Sequence, residues 1–183
     1  MIQRLQSILL ILAAVANFAA FFLPYGYAEN NAEMDSPTAQ LYGGHVMVNA
    51  VITDPAPGEA FGEWKESTLT VGDDTFLTIH GLLIGLNGLA LVAMVFMFGN
   101  RARQLKLVYV GILMLMIQVV IAAAMLWARM PTWLGAGNIA AENFDSGLKF
   151  GFFIPILAIL LSWWAAKRIQ KDEKMVKDMD RFR

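Results

Sequence analysis

Four stretches of this chain carry no charged residue: Leu5–Leu23, Leu77–Phe98, Leu107–Trp127 and Phe150–Ala166. A helix needs roughly 20 apolar residues to cross the ~30 Å hydrocarbon layer of a bilayer. Inside that layer every backbone N–H and C=O must find its partner within the segment, so a single apolar run that spans it is helical. The first three runs meet or nearly meet that length. The last has 17 residues, and the stems of Lys149 and Lys167 lengthen it by snorkelling. The sequence therefore predicts an all-α membrane protein, a four-transmembrane-helix bundle. Composition agrees: the chain is 57% hydrophobic and 16% charged, whereas soluble domains are nearer half and a quarter.

The limits of the runs carry stop and start signals. Pro24 follows the first and Pro131 the third, and proline cannot continue a helical ladder. Asp73, Asp74 and Thr75 offer N-caps for the second run, and Asp145 and Ser146 for the fourth. Met1–Arg4 followed by an apolar run, with Tyr27-Ala28 beyond, has some of the marks of a secretory signal. The run is longer than the hydrophobic part of such a signal, which favours a retained span. Pro155, read as inside the fourth run, predicts a broken bond to the Gly151 carbonyl and a bend.

Charge sets the threading. With the N-terminus inside, segments 1–4, 99–106 and 167–183 hold 11 of the 14 basic residues, and segments 24–76 and 128–149 hold 11 of the 15 acids. Lys and Arg are retained on the cytoplasmic side, so both ends are expected there. Trp163, Trp164 and Tyr109 then fall at the inner interface, and Tyr25, Tyr27, Trp127 and Trp133 at the outer one, the depth such side chains prefer.

The outer segment 24–76 is long for a plain connection. Val46–Thr53 is rich in β-branched residues, and Ser67–Val71 alternates polar with apolar. Asp54-Pro55-Ala56-Pro57-Gly58 lies between them as a turn-rich break. This predicts a small β-hairpin or sheet in the first outer loop, with segment 28–40 a polar connection. The nine acids of this loop against one base, Lys65, read either as an acidic docking face or, more plainly, as the lack of Lys and Arg that topology imposes. Beyond the fourth run, Lys167–Arg183 predicts a cytoplasmic C-terminal helix. Met175, Val176, Met179 and Phe182 form its apolar stripe, suited to a partner or to lipid.

No cysteine is present. That removes disulfides, thiolate metal sites and thiol nucleophiles, and with them any quinone-linked disulfide oxidase. Also absent are a Gly-rich phosphate loop, a nucleophile elbow, a His-Glu-x-x-His pair and the Asp-x-Asp-x-Asp-Gly spacing of a calcium loop. The spans contain none of the ionisable groups that proton relays and ion paths place in the membrane, apart from His80 near one end. His80 and Asn87 share a helical stripe and are the candidates for binding a ligand, a haem or a quinone. A bis-His haem would need a second intramembrane histidine, and His45 belongs to the loop. The plainer reading is a histidine bonded to a backbone carbonyl. Likewise the uncharged polar residues of the runs are Asn17, Thr78, Asn87, Gln118 and Ser162, of which Asn17, Asn87 and Gln118 bind something polar or, more simply, hydrogen-bond between helices. Gly81, Gly85 and Gly88 form a small-residue ridge for close helix packing.

The opening Met-Ile-Gln-Arg-Leu-Gln-Ser, leading directly into the first span, resembles a small bacterial membrane family known only as a domain of unknown function, of Bacteroidetes type. The long first outer loop, the short basic turn Asn100-Arg101-Ala102-Arg103-Gln104 and the charged tail are similar to it too. The resemblance covers essentially the whole chain. It implies a bacterial inner membrane and brings no activity, cofactor or site residues. The layout is also similar to claudins, as an architectural analogy alone, since their cysteine-bearing signature is missing. The expected function is a non-catalytic accessory or assembly subunit of a larger inner-membrane complex. Other membrane subunits and the lipid bilayer are its partners, with no nucleic acid, metal or cofactor. The alternatives are an oligomeric transporter or channel lined by His80 and Asn87, and a haem- or quinone-binding subunit.

Overall fold

A computed structural model describes residues 3–30, 38–51, 64–70, 72–97, 99–129 and 144–181. Among these residues are four α-helices: α1 (Gln3–Ala19), α2 (Thr75–Val95), α3 (Arg101–Ala124) and α4 (Phe153–Arg181). A π-helical turn, Met125–Arg129, follows α3, and a 3₁₀ turn, Phe150–Phe152, precedes α4. Five strands accompany them: β1 (Gly26–Asn30), β2 (Thr38–Leu41), β3 (His45–Val51), β4 (Trp64–Thr70) and β5 (Phe144–Leu148). The residues group into two compact units. One comprises Met1–Ala19, Leu82–Val119 and Ile154–Arg183, and the other Ala20–Gly81 and Val120–Phe153.

The expected all-α four-span bundle is corrected to a mixed fold of four helices and a five-stranded antiparallel sheet. Three helical stretches are long and apolar enough to cross a membrane: Thr75–Val95, Arg101–Arg129 and Phe150–Val176. The chain is a membrane protein on that account. Helix α1 has 17 residues and stops at Ala19, four short of the expected Leu23. Its end is drawn into the sheet-bearing unit: the Ala20 carbonyl accepts the Gly43 N–H at 3.1 Å, and beyond Pro24 the Tyr25 N–H bonds the Leu41 carbonyl at 2.6 Å. Those partners come from residues far along the chain, so apolarity alone carried the predicted span too far.

In the first unit each helix turns a seam inward at spacings of three and four residues, the period of one helical face. The seam of α1 is Gln6, Leu10, Ala13, Ala14 and Asn17, and that of α4 is Ala158, Ser162, Ala165, Ala166, Ile169 and Asp172. Leu91 and Met94 of α2 and Val108 and Leu115 of α3 join Leu10, Ala13 and Ala158 in one core. The opposite faces expose Leu86 and Leu89 at 63% each and Leu113 at 54%. A soluble surface rarely shows continuous apolar faces of this kind; a lipid-facing one must.

Helix α4 runs from Phe153 through the tail to Arg181 as one element. Pro155 therefore sits in its first turn, where the missing N–H is among those with no intrahelical acceptor and no interior ladder bond is lost.

The second unit is built on the sheet, ordered β4-β3-β2-β1-β5. The β3–β4 pair aligns His45 with Thr70 and Val51 with Trp64. Segment 28–40, read as a polar connection, supplies the end of β1 and most of β2, and residues 31–37 lie outside the described residues. Strand β5 comes from the second outer segment, where Asp145 and Ser146 were read as N-caps. Both instead pair with β1, opposite Glu29 and Ala28, and the 3₁₀ turn that precedes α4 begins after Lys149 with no side-chain cap. One sheet face buries Ala28, Ala39, Leu41, Val46 and Val48, at the two-residue period of a strand. Two glycines make the β1–β5 junction possible. A side chain at Gly147 would strike the Tyr27 ring, and one at Gly26 would strike Leu126 and the Gly147 carbonyl.

Candidate functional site

The buried polar groups of the sheet-bearing unit centre on His80. It lies in the second turn of α2 and is fully buried. Its Nδ1–H donates to the Gly43 carbonyl at 2.9 Å, which makes Nε2 the unprotonated nitrogen. Nε2 is buried, with no hydrogen-bond partner among the described residues. The Tyr25 ring meets the imidazole edge-on, with centroids 5.3 Å apart. Gly43 belongs to the turn between β2 and β3, closed by the Tyr42 N–H on the His45 carbonyl at 2.9 Å. His45 stacks on the Tyr42 ring at 4.4 Å, and burial lowers its pKa below the ordinary 6.5. Both histidines thus bracket one turn, a relation their separation in sequence does not reveal.

A second polar group organises the start of α2. Asp74 caps the helix, its Oδ1 accepting the N–H of Phe76 at 2.8 Å and of Leu77 at 3.3 Å. Its Oδ2 pairs with Arg129 of the π-turn, whose guanidinium lies over the Phe76 ring at 5.4 Å. Burial raises the Asp74 pKa. The hydrogen bond from Arg129, the two N–H groups and the Arg129 charge outweigh it, so the carboxyl sits below 3.8. Asp73 is lowered as well, by the N–H and hydroxyl of Thr70. The sequence marked Asp74 as a cap; nothing in its spacing pairs it with a residue 55 positions on.

In the helical unit, Asn87 donates to Gln118 Oε1 at 3.1 Å and Asn17 to the Ile84 carbonyl at 2.7 Å. Gln104 of α3 reaches the Met94 carbonyl at 2.8 Å. Gln6 bonds the carboxylate of the buried Asp172, whose backbone carbonyl takes Arg101 at 3.4 Å. His80 and Asn87, paired by their shared stripe, thus belong to different units and have different partners. Of the glycine ridge, Gly88 faces the Phe18 ring so closely that a methyl group there would overlap it. Gly85 has nothing within 4 Å of where a Cβ would stand, and Gly81 is buried. In the tail Met175 and Val176 are exposed at 38% and 37%. Phe182 and the Met179 side chain lie outside the described residues.

Among the described residues no three His, Asp or Glu side chains converge as metal ligands. Two hollows among the described residues of the sheet-bearing unit bear on the site. One, of about 100 Å³, is lined by Thr38, Gln40, Tyr42, Met47, Asn49 and Glu66, smaller than the few hundred Å³ of a ligand pocket. The other is an open groove of about 670 Å³ between Phe21 and Phe22 on one side and Gly44, His45, Thr68 and Thr70 on the other. Phe22 is 80% exposed. The aromatic pair was absorbed into the predicted first span, so the groove was not anticipated.

The family model described as "Domain of unknown function (DUF4293)" matches residues 2–182. No curated protein matches the chain.

Proposed function

Since the chain belongs to that family of unknown function, we propose from its geometry that it is a non-catalytic accessory or assembly subunit of a larger membrane complex. The observation that carries this is the open groove lined by Phe21, Phe22, Gly44, His45, Thr68 and Thr70. One wall is aromatic and exposed. The other includes Thr68 and Thr70 of β4, an edge strand of the sheet among the described residues; the Thr70 N–H and C=O are held by Asp73, and the edge at Thr68 suits pairing with an added chain. An occupant that suits both walls is an apolar segment of another membrane protein. Asp74 is a cap and ion-paired and Asp73 is bonded to Thr70, an arrangement that supports structure more readily than chemistry.

The setting we assign is a bacterial inner membrane, with the basic turn 99–106 and the tail from Lys167 in the cytoplasm and the sheet segments on the outer side. The transporter and haem or quinone readings gain no comparable support. His80 and Asn87 are buried, and each is already engaged by a neighbour.

A photo-crosslinking residue in place of Thr68, in the full-length protein in native membranes, tests the docking. The expected result is one recurrent membrane-protein adduct, lost when Phe22→Glu is added. Adducts to lipid alone, or none that recur, would remove the basis for the proposal. The orientation has its own check, made simple by the absence of cysteine. An impermeant maleimide should label Ser67→Cys and spare Lys174→Cys in intact cells; the reverse pattern overturns it.

A further inference from the structure

Each helix of the helical unit contributes a buried uncharged polar side chain away from the Gln6–Asp172 end: Asn17 near the end of α1, Asn87 on α2, Gln118 on α3 and Ser162 on α4. Their heights follow from the contacts that fix each helix pair. Gln6 of α1 meets Asp172 of α4. Leu10, Ala13 and Ala14 share a core with Ala158, Ala165 and Ile169, which requires those two helices to run antiparallel. Asn17 is eleven residues onward from Gln6 and Ser162 ten residues back from Asp172. At 1.5 Å per residue these steps are roughly 16 Å and 15 Å, so the two side chains arrive at one level. Asn17 bonds the Ile84 carbonyl, which brings α2 to that level. Asn87 lies one turn further, roughly 4.5 Å, and holds Gln118. The four polar side chains therefore occupy one layer, about a helical turn thick, set among Leu and Ala.

Their mutual bonds leave three buried atoms without a hydrogen-bond partner among the described residues: Asn17 Oδ1, Gln118 Nε2 and Ser162 Oγ. The Asn17 amide orientation is set by its bond to a carbonyl, so its oxygen is the open acceptor. Gln118 offers a donor, and the Ser162 hydroxyl can do either. Burying such groups dry is costly. An acceptor, a donor and a hydroxyl are the partners a buried water takes, since it needs two to four polar contacts. No charged side chain belongs to the layer, so an ion would find no counter-charge; the guest is neutral.

We propose that this layer is an internal hydration site, in which about one or two water molecules bridge Asn17 Oδ1, Gln118 Nε2 and Ser162 Oγ between the helices. The site joins the helices through a polar layer, separate from the buried Gln6–Asp172 pair and Gln104.

Side-chain amide NMR of the full-length protein in lipid nanodiscs, with ¹⁵N at Asn and Gln, tests it. The expected result is magnetisation transfer from water protons to the Gln118 side-chain amide. Ser162→Ala should lose most of that transfer, and Ser162→Thr, which keeps the hydroxyl, should retain it. No transfer to Gln118 in the wild-type protein overturns the proposal, and that measurement decides even if a variant fails to fold. An unchanged signal in a folded Ser162→Ala protein also overturns it. If added glycerol replaces water as the source, the site takes small alcohols and the assignment to water falls.

Discussion

The helices of the helical unit and the strands of the sheet-bearing unit both bury apolar side chains but differ in what they leave outside. In the helical unit Asn17, Asn87, Gln118 and Ser162 are inside while Leu86, Leu89, Leu113 and Leu160 are outside. In the sheet-bearing unit Ala28, Ala39, Leu41, Val46 and Val48 are inside, and Glu66, Ser67 and Thr68 are exposed. One arrangement suits lipid, where apolar side chains gain nothing by avoiding their surroundings and polar ones must find one another. The other suits water, where burial of apolar area drives folding. Exposure therefore means different things in the two units, and a substitution at an exposed position reads out the solvent around it.

The largest expected effect comes from a matched pair of lysines. Leu89→Lys, at a 63% exposed position, should cost roughly 3–4 kcal/mol of insertion on a membrane scale. Ser67→Lys, also exposed, should stay within about 0.5 kcal/mol. Membrane integration assays and thermal unfolding in detergent measure the two, and equal effects would break the comparison.

Next is Gly151→Ala. Its Cβ would stand 2.5 Å from the Pro24 carbonyl oxygen and 2.7 Å from that of Leu23, backbone atoms that cannot turn aside. A loss of about 2–3 kcal/mol is expected, read as a lower unfolding temperature. Gly88→Ala meets only the Phe18 ring, which can rotate, and should cost less.

Asp74→Ala removes a helix cap and the partner of Arg129 and should cost about 1–2 kcal/mol. The pH dependence has a fixed sign. A carboxyl whose folded pKa is lowered stabilises the protein above its ordinary value, 3.8 here, and that contribution disappears as pH falls through the folded pKa. Acid titration of unfolding should therefore show stability declining below about pH 4, and declining less in Asp74→Ala. No such difference would show that the ion pair is not formed.

The smallest effect is a gain. Gly85→Ala has free space at its Cβ and should stabilise α2 by up to about 1 kcal/mol through helix propensity. A loss there would mean that another chain or lipid packs on that face.

Much of the helical unit was legible because its cause is local. Charge-free runs, basic flanks and a three-and-four spacing are properties of consecutive residues, and they located α2, α3 and the start of α4. The β3–β4 pair was readable for the same reason, from β-branched and alternating runs around a turn. Strand β5 was not. Phe144-Asp145-Ser146-Gly147-Leu148 has weak strand character by itself and becomes a strand because β1 presents an open edge to it. The end of α1 was misjudged likewise, since Phe21 and Phe22 are as apolar as the helix they follow.

The candidate sites divide in the same way. The sequence marked His80, Asn17, Asn87, Gln118 and Ser162 as polar groups in apolar runs, because an isolated polar residue among leucines is visible in one dimension. It could not assign Gly43 and Tyr25 to His80, Arg129 to Asp74, or Gln118 to Asn87.

By itself the sequence determined that this chain lives in a membrane, which segments are helical there and which side chains are too polar to face lipid. Each follows from transfer energies that belong to single residues or short runs. Only the tertiary structure decided that the outer segments close one five-stranded sheet, that α1 stops at Ala19 and that four polar side chains share a layer. Those outcomes rest on hydrogen bonds and contacts between residues far apart in the chain, whose energy exists only once the fold brings them together.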